Sequence, residues 1–203
     1  MTSLLIKTDA MPLLVDISSL MPQANLTDEQ FYALCQANSD LRIERTANGE
    51  VVIMPPAFSD TGNRNFKAAL QLGIWAEQDG TGEGFDSSSG FTLPNGATRS
   101  PGAAWIRADR WNRLSEAQQA SFAPICPDFV IELRSASDTL AGLQEKMQEY
   151  IENGTRLGLL IDRKTRSVHV YRPGQPPDRL EQPAQVSCDP ELPGFSLQMA
   201  QLW

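Results

Sequence analysis

Histidine is almost absent from this chain: of 203 residues only His169 is one. That scarcity argues against a histidine-rich metal site and against Ser-His-Asp catalysis. His169 stands between Val168 and Val170 in an alternating stretch and is expected to face solvent. Cysteine is scarce too. Cys35, Cys126 and Cys188 are far apart, odd in number and form no CxxC pair, which excludes a zinc ribbon or a disulfide framework and suits a reducing compartment. Positive charge is in deficit, with 17 Lys and Arg against 25 Asp and Glu and a net charge of −8. Such a field opposes non-specific attraction to phosphate backbones, so any nucleic-acid role needs a local basic patch. There is no GxxxxGK[ST] or GxGxxG loop, no internal repeat and no low-complexity linker. Long apolar runs are missing as well. In the opening MTSLLIKTDAMPLLVDISSL, Lys7, Asp9 and Asp16 break any run long enough for a signal peptide or a membrane span, so the expected location is the cytoplasm.

What is present suits one domain with a sizeable core, since 41% of the residues are hydrophobic. Residues 1–25 read as an irregular arm and 26–203 as the folded domain. Thr27 and Gln30 form a capping-box pattern that opens a helix. LRIER and EVVIM flank Asn48-Gly49, a hairpin signal. From Ser59 a helix runs to Asp79-Gly80, with Phe66, Leu70, Gly73, Ile74 and Glu77 along one stripe. A strand-rich stretch follows, with a turn at Asn95-Gly96, then short helical material over 109–120. Asp128 to Arg134 reads as a continuous strand, and Thr139 to Asn153 as a helix closed by Asn153-Gly154. LGLLID and SVHVYR form another hairpin, and the tail LPGFSLQMAQLW is expected to fold back on the core. The fold class is α+β, a mixed sheet flanked by helices.

The chemistry concentrates in CPDFVIELRSASD, residues 126–138. Along this strand Asp128, Val130, Glu132 and Arg134 share one face, and Phe129, Ile131 and Leu133 the other. Glu132 and Arg134 lie roughly 6–7 Å apart, close enough to serve one phosphate or one metal-bound water. Asp128 is about 13 Å from Glu132, too far for a shared metal, and is expected to cap the strand entry or orient something behind it. The plainer reading is an internal Glu132–Arg134 ion pair. In the following helix Leu140, Leu143, Met147, Tyr150 and Ile151 form the core stripe. Lys146 falls at its edge, where its stem can lie on the core and its ammonium can turn either to the sheet or to water. Arg99, Arg107, Arg110 and Arg113 make the best candidate basic patch. Arg64 and Lys67 read as a solvated helix face.

The segments SPGAAWI, PDFVIELRSASD, KMQEYIENG, LGLLID and VYRPG, in this order and spacing, resemble the Uma2 family. These restriction-endonuclease-like proteins, abundant in cyanobacteria, fall within the PD-(D/E)XK nuclease superfamily. The resemblance runs from about residue 41 to residue 203. It implies a mixed central sheet flanked by helices, with a divalent-metal site, Mg²⁺ or Mn²⁺, on neighbouring central strands. It also implies DNA as substrate and, with the exposed hairpins, a homodimer. Carried over by position, Glu44 matches the family's N-terminal acid and Glu132 the acid of the (D/E)XK strand. Arg134 stands where the formula places lysine, and Lys146 matches a lysine on the following helix. One position departs. The family's Ser-Pro-Asp, whose aspartate bridges the metal, reads Ser100-Pro101-Gly102 here, and glycine has no ligand to give. Two functions therefore remain open from the sequence: a metal-dependent endonuclease impaired at Gly102, and a non-catalytic nuclease-fold module that binds nucleic acid or a protein partner.

Overall fold

The computed structural model describes residues 26–54 and 57–203, together with two strands before them. In chain order the elements are β1 (Ser3–Lys7), β2 (Pro12–Asp16), α1 (Asp28–Ala37), β3 (Arg42–Arg45), β4 (Val51–Met54), α2 (Ser59–Asp79) and β5 (Gly82–Asp86). Next come β6 (Phe91–Thr92), β7 (Thr98–Arg99), β8 (Ala103–Arg107), α3 (Ala108–Trp111), α4 (Glu116–Gln119), β9 (Phe129–Leu133) and α5 (Leu140–Glu152). The chain ends with β10 (Leu157–Asp162), β11 (Ser167–Tyr171), β12 (Asp178–Glu181), β13 (Gln185–Ser187), β14 (Ser196–Gln198) and a 3-10 turn at Met199–Gln201. Contacts divide the chain into two compact units, Met1–Pro56 with Gly96–Thr98, and Ala57–Asn95 with Arg99–Trp203.

In the first unit the segment expected to be an irregular arm holds an antiparallel ladder, β1 on β2, with Leu5 opposite Leu14. The short apolar runs Leu4-Leu5-Ile6 and Leu13-Leu14-Val15 are enough for two strands once they pair. The remainder of 1–25 lies outside the described residues. Helix α1 begins as its sequence dictates: the Thr27 hydroxyl accepts from the Gln30 N–H, and the Gln30 side chain accepts from the Thr27 N–H. Strands β3 and β4 form the expected hairpin, with Arg45 opposite Val51 and Gly49 at φ +84° in the turn. Arg45 is buried there; its guanidinium donates to the Leu26 and Gly96 carbonyls, pairs with Asp28 and lies 5.0 Å from the Phe31 ring centroid.

The second unit is built on a six-stranded sheet in the order β12-β11-β10-β9-β8-β5. Only β9 and β10 pair in parallel among the described ladders of this sheet, and α5 is the crossover between them. Register sorts the side chains into two faces. Ala103, Ile131, Leu159 and Val170 stand in one row, and Leu133, Ile161 and Val168 in another of the same face. These belong to an apolar cluster with Ala68, Leu72 and Ala76 of α2 and with Val186, Leu192, Phe195, Leu197 and Leu202 of the tail. The tail thus folds back as expected; Gln198 N–H donates to the Gln71 side chain, whose own amide donates to the Gln198 carbonyl. The opposite face carries Ala104, Val130, Gly158 and Tyr171 in one row and Glu132, Leu160, His169 and Arg179 in the next. Helix α5 covers this face, its Met147 Cε lying where any side chain on Gly158 would have to go.

Helix α2 departs from the simplest amphipathic expectation. The stripe of Phe66, Leu70 and Ile74 points outward, and these residues are 63%, 47% and 51% exposed. The small face, Ala68 and Ala76 around Leu72, is the one that lies against the sheet, because it lets the helix approach closely.

Candidate active site

Glu132 sits near the end of β9 with 6% of its surface exposed. A carboxylate in that setting needs a partner, because leaving water costs a charge several kcal/mol. Helix α5 supplies it. Lys146 Nζ lies 2.8 Å from Glu132 Oε1, and the Tyr150 hydroxyl donates to the same oxygen at 3.3 Å. Lys146 and Tyr150 are four residues apart, so both reach the sheet from one side of the helix, and the ammonium stands 5.9 Å from the Tyr150 ring centroid. Lysine at the edge of the core stripe has therefore turned to the sheet and not to water. Oε2 of Glu132 accepts no hydrogen bond from the described residues.

The internal Glu132–Arg134 pair does not form. Arg134 Nη1 lies 2.8 Å from Asp162 Oδ2 and its Nε donates to the Asp138 carbonyl. Asp162 ends β10, fully buried. Burial pushes its carboxyl up, but the Lys164 N–H, Arg134 and the Thr165 hydroxyl outweigh that and hold it below the usual carboxylate range. Arg134 is thus held by a pair that ties the end of β9 to the end of β10.

Gly102 precedes β8 directly. Ala103 pairs with Ile131, so the next position in register sets Gly102 beside Glu132. The backbone there is crowded. A Cβ on residue 102 would stand 2.9 Å from the Ile131 carbonyl oxygen and 3.2 Å from Asn65 Oδ1 of α2. Glycine at 102 is accordingly demanded by close packing of two backbones, and the Asn65 amide oxygen sits beside it. Glu44 is buried on β3, in the first unit. Among the described residues no group of three or more acidic, cysteine or histidine side chains is arranged to hold a metal ion.

The candidate basic patch is balanced by acids. Arg99 pairs with Glu149 at 2.6 Å, Arg107 with Asp109 at 2.9 Å, Arg110 with Asp128 at 2.9 Å, and Arg113 approaches Asp109 at 3.9 Å. Asp128, 3% exposed, also accepts from the Arg107 N–H, so it orients the segment that follows β8. All four arginines meet an acid, Asp109 from their own stretch and Glu149 and Asp128 from elsewhere in the chain. His169 is buried on the α5 face and does not face solvent, because α5 and β12 cover a hairpin that its alternation alone would leave half open.

Tyr150, Asp162 and Asn65 were not singled out as site residues. Tyr150 was assigned to the core stripe, and its hydroxyl could have been marked as a group that needs a polar partner when buried. Asp162, at the close of LGLLID, was readable as a buried acid awaiting a cation. Nothing in the sequence points to Asn65.

The mixed sheet, the parallel β9–α5–β10 crossover and the acid and lysine that meet across it define a restriction-endonuclease-like fold. The profile of the Uma2 family, described as "Putative restriction endonuclease", matches residues 28–200, and the chain belongs to that family. Among solved structures it is similar to a putative nuclease belonging to DUF820 from Anabaena variabilis, with 18% identity and a TM-score of 0.66 over 79% of this chain and 88% of that one. At that identity the likeness speaks for the fold. No curated protein matches.

Proposed function

We propose that this chain is a divalent-metal-dependent endonuclease that hydrolyses DNA phosphodiesters, with Glu132 and Lys146 at its centre and a turnover lowered by Gly102. The observation that carries this reading is the Glu132 carboxylate, buried and clamped through Oε1 while Oε2 takes no hydrogen bond from the described residues. A carboxylate oxygen is a hard donor of the kind Mg²⁺ and Mn²⁺ take, and Mg²⁺ usually keeps several of its waters, so a site with few protein donors suits it. Glu132 would hold the ion, with Asn65 as a neutral oxygen beside residue 102. When bound, the ion would polarise the phosphate and lower the pKa of an attacking water.

The chain's own groups do the rest. The Tyr150 hydroxyl and Lys146 fix the rotation of the Glu132 carboxylate, so that one oxygen is committed and the other is presented. Lys146 Nζ stands 2.8 Å from Glu132 Oε1. As a cation at the site it can stabilise the negative charge that develops on the phosphate, and with most of its surface away from water that interaction is strengthened. Arg134, committed to Asp162, positions the strand end and is not the primary charge at the phosphate.

A second reading, a nuclease-fold module without catalysis that binds nucleic acid or a protein, is favoured by one observation: the crowded glycine at 102. Calorimetric titration with Mn²⁺ separates the two. The first reading expects a site in the wild type that Glu132→Ala removes, and weak plasmid cleavage in Mg²⁺. Gly102→Asp should raise Mn²⁺ affinity and cleavage, while Gly102→Asn, equal in size and uncharged, should raise neither. Absence of binding at millimolar metal would leave the second reading standing.

A further inference from the structure

We propose that the outer face of α2 is a self-association surface on which a second copy of this chain docks, its α2 antiparallel to the first about a two-fold axis at Leu70. The observation is the exposed stripe itself. Phe66, Leu70 and Ile74 recur every four residues on the side of α2 turned away from the sheet, each roughly half exposed or more. Scattered apolar residues on a surface need no explanation, whereas three large ones contiguous on one helix face mark an interaction site.

The sequence of that face is complementary to its own reverse. In an antiparallel pair centred on Leu70, Leu70 meets Leu70 of the second copy, Phe66 meets Ile74, and Asn63 meets Glu77. A two-fold interface requires this matching of a patch with itself. Charge agrees with it. Lys67 flanks the stripe on the N-terminal side and Glu77 lies on it near the C-terminus, so reversal brings each Lys67 within reach of the opposite Glu77 at both ends. Neither has an ion-pair partner within its own chain among the described residues; the salt bridges of this helix use Asp60 and Arg64 instead. A parallel pairing would set Glu77 beside Glu77 and leave the cation unused. Gly73, which has no heavy atom within 4 Å of where a Cβ would stand, leaves a shallow place beside Ile74 for the opposing Phe66 ring.

Size sets the strength. A helix of 21 residues presents a strip about 30 Å long and 10 Å wide, roughly 300 Å², against about 800 Å² per partner in a standard stable interface. The pair should therefore be weak, dissociating in the micromolar range, unless flanking segments join it. The proposal is independent of catalysis and stands or falls apart from the nuclease reading.

Sedimentation equilibrium of the full chain across the micromolar range tests it, with circular dichroism to verify that each variant is folded. The wild type should dimerise. Leu70→Glu, which sets two carboxylates against each other on the axis, should be monomeric with unchanged melting, since the side chain packs against nothing in its own chain's core. Lys67→Glu and Glu77→Lys should each weaken the dimer about fivefold or more, and the double reversal should restore it. A wild type that stays monomeric into the hundreds of micromolar overturns the proposal. A dimer that survives Leu70→Glu overturns it too, by assigning the contact to another surface.

Discussion

The two faces of the central sheet are made from the same strands and have opposite chemistry. On the α2 side every inward position of β9, β10 and β11 is apolar, from Phe129, Ile131 and Leu133 to Val168 and Val170. On the α5 side the same three strands bury Glu132, Asp162, Ser167 and His169, and Asp128 is buried just ahead of β9. Alternation along a strand makes this possible, since successive residues serve different faces and can be chosen independently. The apolar face provides stability without direction. The polar face costs desolvation at each group and returns fixed orientation: Lys146 and Tyr150 on Glu132, Arg134 on Asp162, Arg110 on Asp128. The Glu132 and Lys146 pair lies on the face that has that rigidity.

The comparison can be broken most forcefully at Lys146. Lys146→Met should strand the Glu132 carboxylate in a buried site and lower stability by about 3–5 kcal/mol. Adding Glu132→Gln should recover most of that loss, because the cost lies in the unpaired charge and not in the missing contact. Urea unfolding of the two variants measures both. If Lys146→Met costs little, water reaches Glu132 freely and the polar face is less dry than its burial implies. On the other face the expected losses depend only on packing. Leu72→Ala should cost about 2–5 kcal/mol, whereas Leu70→Ala, two positions along the same helix and facing out, should change the stability of the dilute monomer by no more than about 0.5 kcal/mol. Equal effects at the two leucines would mean that the outward stripe is covered within a single chain.

The apolar face was legible in the sequence and much of the polar face was not. Periodicity located β9, α5 and the β10–β11 hairpin, and the capping pattern of Thr27 and Gln30 located α1, because these signals are local. The edge position of Lys146 was legible as well, but its direction was not, since a lysine stem can lie on the core with its ammonium turned either way. Which acid Arg134 takes depends on β10, 28 residues later, and no local pattern carries that. In α2 the pattern misled for a definite reason: the larger apolar residues mark the outward stripe, while alanines, weak in any hydrophobic pattern, make the close approach to the sheet.

Gly102 sharpens the comparison at the seam where β8 meets β9. Gly102→Ala should destabilise by about 1–3 kcal/mol, since its methyl would press on the Ile131 carbonyl and one backbone must give. The gains in metal binding expected of Gly102→Asp would then appear together with a lowered melting temperature, shared by Gly102→Asn. A Gly102→Ala variant as stable as the wild type would show that the seam relaxes easily, and the glycine would then lose its structural justification.

The smallest expected effect belongs to His169, the one titrating group of the polar face near neutrality. It lies in a row with Glu132 and Leu160, opposite Arg179 of β12. Burial pushes its pKa below the ordinary 6.5, and the Arg179 guanidinium pushes the same way, against weaker opposing pulls from Asp162 and Glu181. The folded protein thus prefers the neutral ring. In the unfolded chain the ring takes its proton at the ordinary value, so as pH falls below 6.5 the unfolded state binds more protons than the folded state and stability declines. The contribution is fully present above that pH and is lost progressively down to the lowered folded value. Because the chain has a single histidine, its ring protons give isolated NMR signals, and their midpoint in the folded protein should fall below 6.5 and return towards it in urea. Arg179→Gln should move the folded midpoint up part of the way, leaving the share due to burial. A folded midpoint at or above 6.5 would mean that a negative group, Asp162 or Glu181, dominates the ring's surroundings, and the row beside Glu132 would then be wetter and more anionic than the two-face comparison requires.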